Sequence, residues 1–254
     1  MASDEKLDPV GDEFFRPLLR AERCADGLFL CSAALSLAAL LVDQKITPTA
    51  YTFVQIGFAL SVMALFLCTL AIRLYFFPRA QVRRYQDFLS HAYEKPLSHK
   101  QTTGYYNNAE TTVPTRIAAQ VLESSFFSLD TLTRMSSRER IKVGVYVLVW
   151  VVTVLNRSTD LALVGVAAQI LFSEQLLSRW LRLEWLRREC EKTFDDLFRL
   201  FQSEGKVGVF ALEILGRYEM AKATAAISLS SRIFEKNRLR MNDEWDEIRA
   251  TLQI

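Results

Sequence analysis

Four apolar runs dominate the pattern of hydrophobic and polar positions. They are Cys24–Val42, Phe53–Phe77, Ile141–Leu155 and Leu161–Leu177. A helix needs about 20 mainly apolar residues to cross a bilayer, and the first two runs reach that length with one charge each. A helix on the surface of a soluble bundle would show a polar face, which these two runs lack. The pattern predicts four transmembrane helices in two hairpins, and the alternative is a set of core helices in a soluble all-α protein.

The remaining segments also have helical periodicity. In the middle of the chain, Val82, Tyr85, Phe88, Leu89 and Tyr93 are expected on one face of a helix that ends at Pro96. A second helix is expected to open near Pro114. The predicted fold is an all-α membrane protein with a helical cytoplasmic domain. Its segments are an N-terminal segment 1–23, a first hairpin 24–77, a middle segment 78–140, a second hairpin 141–177 and a tail 178–254.

Charge flanking the runs predicts the orientation. The two hairpin tips carry one basic residue each, Lys45 and Arg157, whereas arginines cluster beside the other ends of the runs. By the positive-inside rule, both termini and the middle segment face the cytoplasm. The predicted location is a membrane that the chain crosses several times, with the lipid bilayer as a partner. The net charge of +2 adds little to this picture.

Motifs for catalysis or metal binding are missing from the sequence. There is no phosphate-binding glycine loop, no nucleophile elbow and no His-Glu-x-x-His pair. The four cysteines form no Cys-x-x-Cys unit, and both histidines are interpreted as surface residues. We therefore expect no enzyme activity, no catalytic residue, no metal and no cofactor.

The polar residues of interest inside the apolar runs are Arg73, Gln169 and Glu174. Polar groups at membrane depth are costly, so each is a candidate for a pore or gate, with Arg73 and Glu174 paired across helices. In the alternative, the two charged residues reach the headgroups while Gln169 makes one interhelical hydrogen bond.

The middle segment contains the stretch "TTGYYNNAETTVP", Thr102–Pro114. Tyrosines at 105 and 106 can stack on flat bases, Asn107 and Asn108 can bond base edges, and Arg116 can contact a phosphate. A structural turn that packs on the next helix is the alternative.

Taken with the span layout, this stretch resembles the SMODS-associated four-transmembrane effector family of bacterial antiphage systems. In that family an aromatic doublet precedes a proline that opens a helix with a polar patch and an aromatic. Tyr105-Tyr106, Pro114 and the run Glu123–Phe127 fit those places. Here Tyr-Tyr replaces the common Trp-Tyr, and two asparagines replace the usual proline-containing turn.

The resemblance implies an effector in CBASS-like defence. A neighbouring cyclic-nucleotide synthase would supply a cyclic di- or oligonucleotide, and a homo-oligomer of the effector would disrupt the membrane as a pore, causing abortive infection. No nucleic-acid partner is expected. Two other functions are compatible with the residues: a constitutive membrane scaffold or small channel regulator without a nucleotide ligand, and a membrane enzyme that uses unrecognised carboxylates.

Overall fold

A computed structural model describes residues 8–100, 102–103, 110–155, 161–203 and 207–254. The elements in these ranges are helical. The α-helices are α1 (Arg16–Leu41), α2 (Pro48–Ala71), α3 (Phe77–Tyr93), α4 (Val113–Leu155), α5 (Leu161–Leu171), α6 (Arg179–Gln202), α7 (Val207–Ala225) and α8 (Ser231–Leu252). Three π-helical turns accompany them: π1 (Gly11–Phe15), π2 (Ile72–Phe76) and π3 (Glu174–Ser178).

Two continuous helices are long and apolar enough to cross a membrane. They are Gly11–Leu41, made of π1 and α1, and Pro48–Tyr93, made of α2, π2 and α3. Only 17% and 6% of their most apolar stretches are buried, whereas the core helix of a soluble protein is mostly covered. The prediction of an all-helical chain is confirmed for the described residues. Four spanning helices are not confirmed, because two are found where four were predicted.

The third and fourth apolar runs are built differently from the first two. Ile141–Leu155 is the end of α4, and it follows charged residues at 138–140 and contains Lys142. Leu161–Leu177 is interrupted, because α5 ends at Leu171 and Ser173 has an extended backbone before π3 begins.

The chain divides into two compact units. We call Met1–Arg16, Pro78–Ser136 and Arg182–Ile254 the helical unit, and Pro17–Phe77 with Ser137–Leu181 the apolar unit. Helix α4 contributes residues to both, because the division at 136/137 falls within it.

Helices α4, α6, α7 and α8 supply most of the core of the helical unit. Each contributes side chains with almost no exposed surface, such as Leu122, Leu197, Leu215 and Trp245. Burying a side chain of this size stabilises a fold by roughly 1.5–3 kcal/mol. The helical unit is therefore held together by ordinary hydrophobic packing.

An aromatic cluster lies at one side of this core. The ring of Phe126 is 5.9 Å from that of Phe194 and 5.8 Å from that of Trp245. The ring of Phe127 lies 5.9 Å from that of Phe234. These centroid distances are typical of favourable aromatic pairs, so α4 is joined to both α6 and α8 through rings.

The apolar residues expected on one face of α3 lie in that helix, but they are only partly buried. Phe88 is 4% exposed, but Val82, Tyr85 and Tyr93 are exposed. The helix instead buries polar Asp87, together with small residues such as Ala92. The chain that follows α3 supplies polar partners for this face, as described below, and periodicity alone does not reveal them.

Helix α3 ends at Tyr93, before Pro96, and the residue that follows it has a left-handed backbone. Glu94 has φ 53°, and the N–H of Lys95 donates to the carbonyl of Ser90 over 3.1 Å. This closing pattern normally uses glycine, since a residue with a Cβ pays roughly 1–2 kcal/mol in the left-handed region. An ion pair made by the Glu94 carboxylate accompanies this strain.

In the apolar unit, small side chains lie where α1 and α2 pack together. A Cβ built on Gly57 would meet Leu35 at 3.7 Å, and the Cys68 thiol donates to the carbonyl of Ala21 over 3.5 Å. Buried Ser32 and Ser61 each donate to the carbonyl three residues earlier. Small residues allow close approach of helices in lipid, and the hydroxyl groups are satisfied within their own helices.

A glycine pair in α7 tests the packing of the helical unit. A Cβ at Gly208 would lie 2.8 Å from the Cβ of Pro114, whereas a Cβ at Gly216 meets nothing within 4 Å. Since the proline ring is rigid, Gly208→Ala is expected to lower the unfolding free energy by roughly 1–3 kcal/mol. Gly216→Ala, the matched control, is expected to raise it by up to about 1 kcal/mol through helix propensity. Thermal unfolding of the full chain in detergent measures both, and equal effects would contradict the packing described.

Candidate functional site

The four candidate ligand residues that carry the stacking and base-edge chemistry lie outside the described residues. They are Tyr105, Tyr106, Asn107 and Asn108. The described residues on either side of this stretch, which we call the 104–109 loop, show how its two ends are held. Both ends belong to the helical unit.

Thr102 anchors the entry to the loop. Its N–H and hydroxyl donate to the two carboxylate oxygens of Asp87, over 3.0 and 2.7 Å. Asp87 has no exposed surface and Thr102 is 1% exposed. Nε2 of His91 lies 2.9 Å from the Thr102 hydroxyl. Because the single hydroxyl proton goes to Asp87, Nε2 carries the proton and donates to Thr102.

Arg116 anchors the exit from the loop. Its guanidinium pairs with the Glu94 carboxylate at 2.9 Å and donates to the carbonyl oxygens of Glu110 and Ala92 at 3.0 Å each. A further contact at 3.4 Å reaches the carbonyl of Thr111. The side chain is 12% exposed. A fixed fork of five donors suits this role, which joins α4, the end of α3 and the loop exit.

Arg116 already has an ion-pair partner and hydrogen-bond acceptors within the chain. To bond a phosphate, its guanidinium would have to leave Glu94 or share donors with it. As a ligand contact, Arg116 therefore stays a prediction, while its contacts with the loop exit are described by the structure.

The N-terminal segment packs on the same region. Lys100, two residues before Thr102, pairs with Glu13 of π1 at 2.7 Å. Arg84 on α3 pairs with Asp8 at 2.8 Å and lies 5.3 Å from the ring centroid of Phe15. The hydrogen bond and the charge of Lys100 lower the pKa of the Glu13 carboxyl. Residues of π1 are thus tied both to α3 and to the entry of the loop.

Among its described residues, the apolar unit contains two ion pairs between separate helices. Arg73 in π2 pairs with Glu174 in π3, and Arg179 at the start of α6 pairs with Asp26 of α1 at 3.0 Å. The Arg73 and Glu174 side chains are 46% and 39% exposed. Both members of this pair lie in π-helical turns, which are rare in helices and frequently occur at functional sites. The structure thus brings two of the three candidate gate residues together.

Gln169, the third candidate gate residue, is exposed on α5. Among the residues that the structure describes, its amide has no hydrogen-bonding partner.

The segment Glu123–Phe127, which carries part of the family resemblance, lies in the core of the helical unit. Ser125 is fully buried and donates to the carbonyl of Leu122, while Tyr218 on α7 donates to the carbonyl of Ser124 at 3.2 Å. These contacts give the segment a structural role in joining α4 to its neighbours.

Neither the Cys190 thiol nor metal-ligating side chains form a reactive site among the described residues. Burial raises the pKa of the Cys190 thiol to about 12, so it stays protonated at neutral pH. In the part of the chain that the structure describes, no three His, Cys, Asp or Glu side chains group as metal ligands.

No family model, curated protein or solved structure matches the chain. The resemblance to the four-transmembrane effectors stays a prediction. A functional proposal therefore rests on the geometry of the loop anchors and of the ion pairs.

The contact of π1 with Lys100 depends on the ionised form of Glu13. Because the pKa of Glu13 is lowered in the fold, the pair stabilises the fold above the unfolded-state pKa of about 4.3 and is lost as pH falls through the folded-state pKa. Glu13→Gln is expected to speed hydrogen exchange of residues 11–15 at pH 7, and this difference from the wild type should vanish in acid. Glu213→Gln, at an exposed glutamate of α7, is the control, and a Glu13→Gln effect that ignores pH would refute the assignment.

The pairing of Arg73 with Glu174 is tested by exchanging the charges. Glu174→Arg places two cations together and is expected to lower the unfolding free energy by roughly 1 kcal/mol, the upper end for partly exposed pairs. The double variant Arg73→Glu with Glu174→Arg should recover most of that loss in thermal unfolding in nanodiscs. Lys45→Glu controls for charge reversal at an exposed position, and no recovery in the double variant would exclude a direct pair.

Proposed function

We propose that the chain is a bacterial membrane effector that responds to a cyclic di- or oligonucleotide and disrupts the inner membrane. One observation carries the proposal. The entry of the 104–109 loop is paired with π1 through Lys100 and Glu13, and π1 continues without a break into α1, one of the two helices apolar enough to span a bilayer. A change at the entry of the loop could therefore reach a membrane helix through one ion pair and the continuous helix that follows it.

The membrane part of the proposal includes all four apolar runs. The low burial of the two long helices supports contact with lipid, and the Ile141–Leu155 and Leu161–Leu177 runs complete a second hairpin. The ring of Trp150 packs edge-on against that of Phe172 with centroids 5.8 Å apart, as expected of two neighbouring spans. Clustered arginines at the inner ends of the runs support a topology in which both termini and the loop are cytoplasmic.

The ligand part of the proposal uses the residues of the loop. Tyr105 and Tyr106 stack on bases, at roughly 1–3 kcal/mol per base, while Asn107 and Asn108 bond base edges. Arg116 is the cation beside them, held by Glu94 until a phosphate competes. No catalytic step is required of any residue.

Signalling requires that the ligand bind one state of the protein more tightly than another. In the resting state Arg116 fastens the loop exit and Thr102 fastens its entry to Asp87. A ligand that takes the guanidinium from Glu94 frees the loop exit from α3. The Arg73–Glu174 pair in the π-helical turns is paired in this structure, and it is the element of the membrane part that we propose separates on signalling.

A constitutive scaffold or small channel regulator is the second candidate function. The full engagement of Arg116 with chain atoms favours it, because that arginine is already used in holding the fold together. In a scaffold, the loop would be a structural turn and the ion pairs would be permanent.

Membrane potential in living cells separates the two functions. Cells that express the chain with a cyclic-nucleotide synthase should depolarise, and cells without the synthase should not. Tyr105→Ala and Tyr106→Ala should abolish the response because base stacking is lost. Tyr85→Ala is the matched control, since that tyrosine is exposed on α3 outside the loop.

Equal membrane levels of all variants have to be verified by immunoblot. Depolarisation that ignores both the synthase and the tyrosines would favour a channel. Absence of depolarisation under every condition would exclude a pore.

A further inference from the structure

Helix α5 has a polar side chain on a surface that its own chain leaves uncovered. Gln169 is exposed, and its amide bonds to nothing else in the ranges that the structure describes. An amide in hydrocarbon without a hydrogen-bonding partner is unfavourable. In a spanning helix, such a group requires either water or another polar group.

Small residues continue the same face of α5. Ala162, Gly165 and Gln169 follow one another at spacings of three and four residues, which places them on one side of a helix, and all three are exposed. A Cβ at Gly165 would meet nothing within 4 Å. Packing within the described chain therefore does not require a glycine there. Small residues at such spacing let two spanning helices approach closely enough for a short polar side chain to bridge them.

We propose that this face of α5 pairs with the same face of a second copy of the chain, with the amide of Gln169 bonded to Gln169 of the partner subunit. The inference rests on the proposed function, since it requires α5 to lie in the membrane. A second copy fits because the carboxamide carries both donors and an acceptor. Two such groups related by a twofold axis satisfy each other without any other chemistry.

Self-association of the full chain in liposomes of bacterial polar lipids tests the pairing. Single-molecule photobleaching at a series of protein-to-lipid ratios gives the association constant. Gln169→Leu is expected to weaken association by about fivefold to thirtyfold, and Gln169→Asn should retain most of it. Gly165→Leu should also weaken it, whereas Gly144→Leu should not, because a Cβ at Gly144 is equally open but lies on α4.

Cross-linking between copies gives a second readout that does not depend on affinity. In a chain whose four natural cysteines are replaced by serine, Gln169→Cys should form a disulfide-linked dimer on oxidation in membranes. Phe66→Cys, at a position 64% exposed on α2, should not. Cross-linking at 66 but not at 169, or unchanged association of both Gln169→Leu and Gly165→Leu, would overturn the proposal.

Failure of this inference differs from failure of the proposed function. If synthase-dependent depolarisation persists in Gln169→Leu with unchanged association, the pairing is wrong and the effector function stands. If carbonate extraction removes the wild-type chain from membranes, the function is wrong and the pairing falls with it.

Discussion

The contact between Asp87 and Thr102 determines where the polypeptide lies between α3 and α4. A carboxylate without exposed surface is tolerated only when its oxygens are bonded, and Thr102 supplies one donor to each of them. Arg84 approaches the same carboxylate at 3.9 Å and connects it to Asp8 of the N-terminal segment. Three stretches that are distant in sequence thus meet at one buried charge. Loss of that charge would leave the two Thr102 donors without their acceptor.

Polar contacts in the apolar unit follow a different rule. Its two interhelical ion pairs involve side chains that keep some exposure, so their strength depends on the medium around them. In water such pairs contribute little, whereas the same charges near hydrocarbon have fewer alternatives. The π-helical turns that carry Arg73 and Glu174 add a second condition. A π-helical turn departs from regular α-helical hydrogen bonding, so the backbone at these positions is a natural place for a change in helix geometry.

Sequence patterns predicted the helical character of the chain and the start of α4 at Val113 beside Pro114. They did so because apolar periodicity and proline placement are local signals. The pattern on α3 did not reveal which side chains are buried, since Val82, Tyr85 and Tyr93 belong to its apolar face and are exposed.

Sequence patterns also failed to predict the anchors of the loop, because periodicity is a local signal. Asp87 with Thr102, and Glu13 with Lys100, join residues far apart in sequence, and no spacing rule connects them. One weak signal was present: a histidine one turn after Asp87, at position 91. Arg116 was identified from its position beside the loop, but its engagement with Glu94 and with backbone carbonyls could be seen only in three dimensions.

The left-handed backbone of Glu94 has a consequence for the threshold at which an anion can compete for Arg116. A glycine there would relax the helix end, but it would leave the guanidinium with carbonyl partners only. Glutamate instead keeps a carboxylate on the guanidinium, at a backbone cost of roughly 1–2 kcal/mol in the left-handed region. Any external anion would have to compete with that carboxylate. Replacement by aspartate, which is one methylene shorter, would weaken this internal competitor while keeping a negative charge at the position.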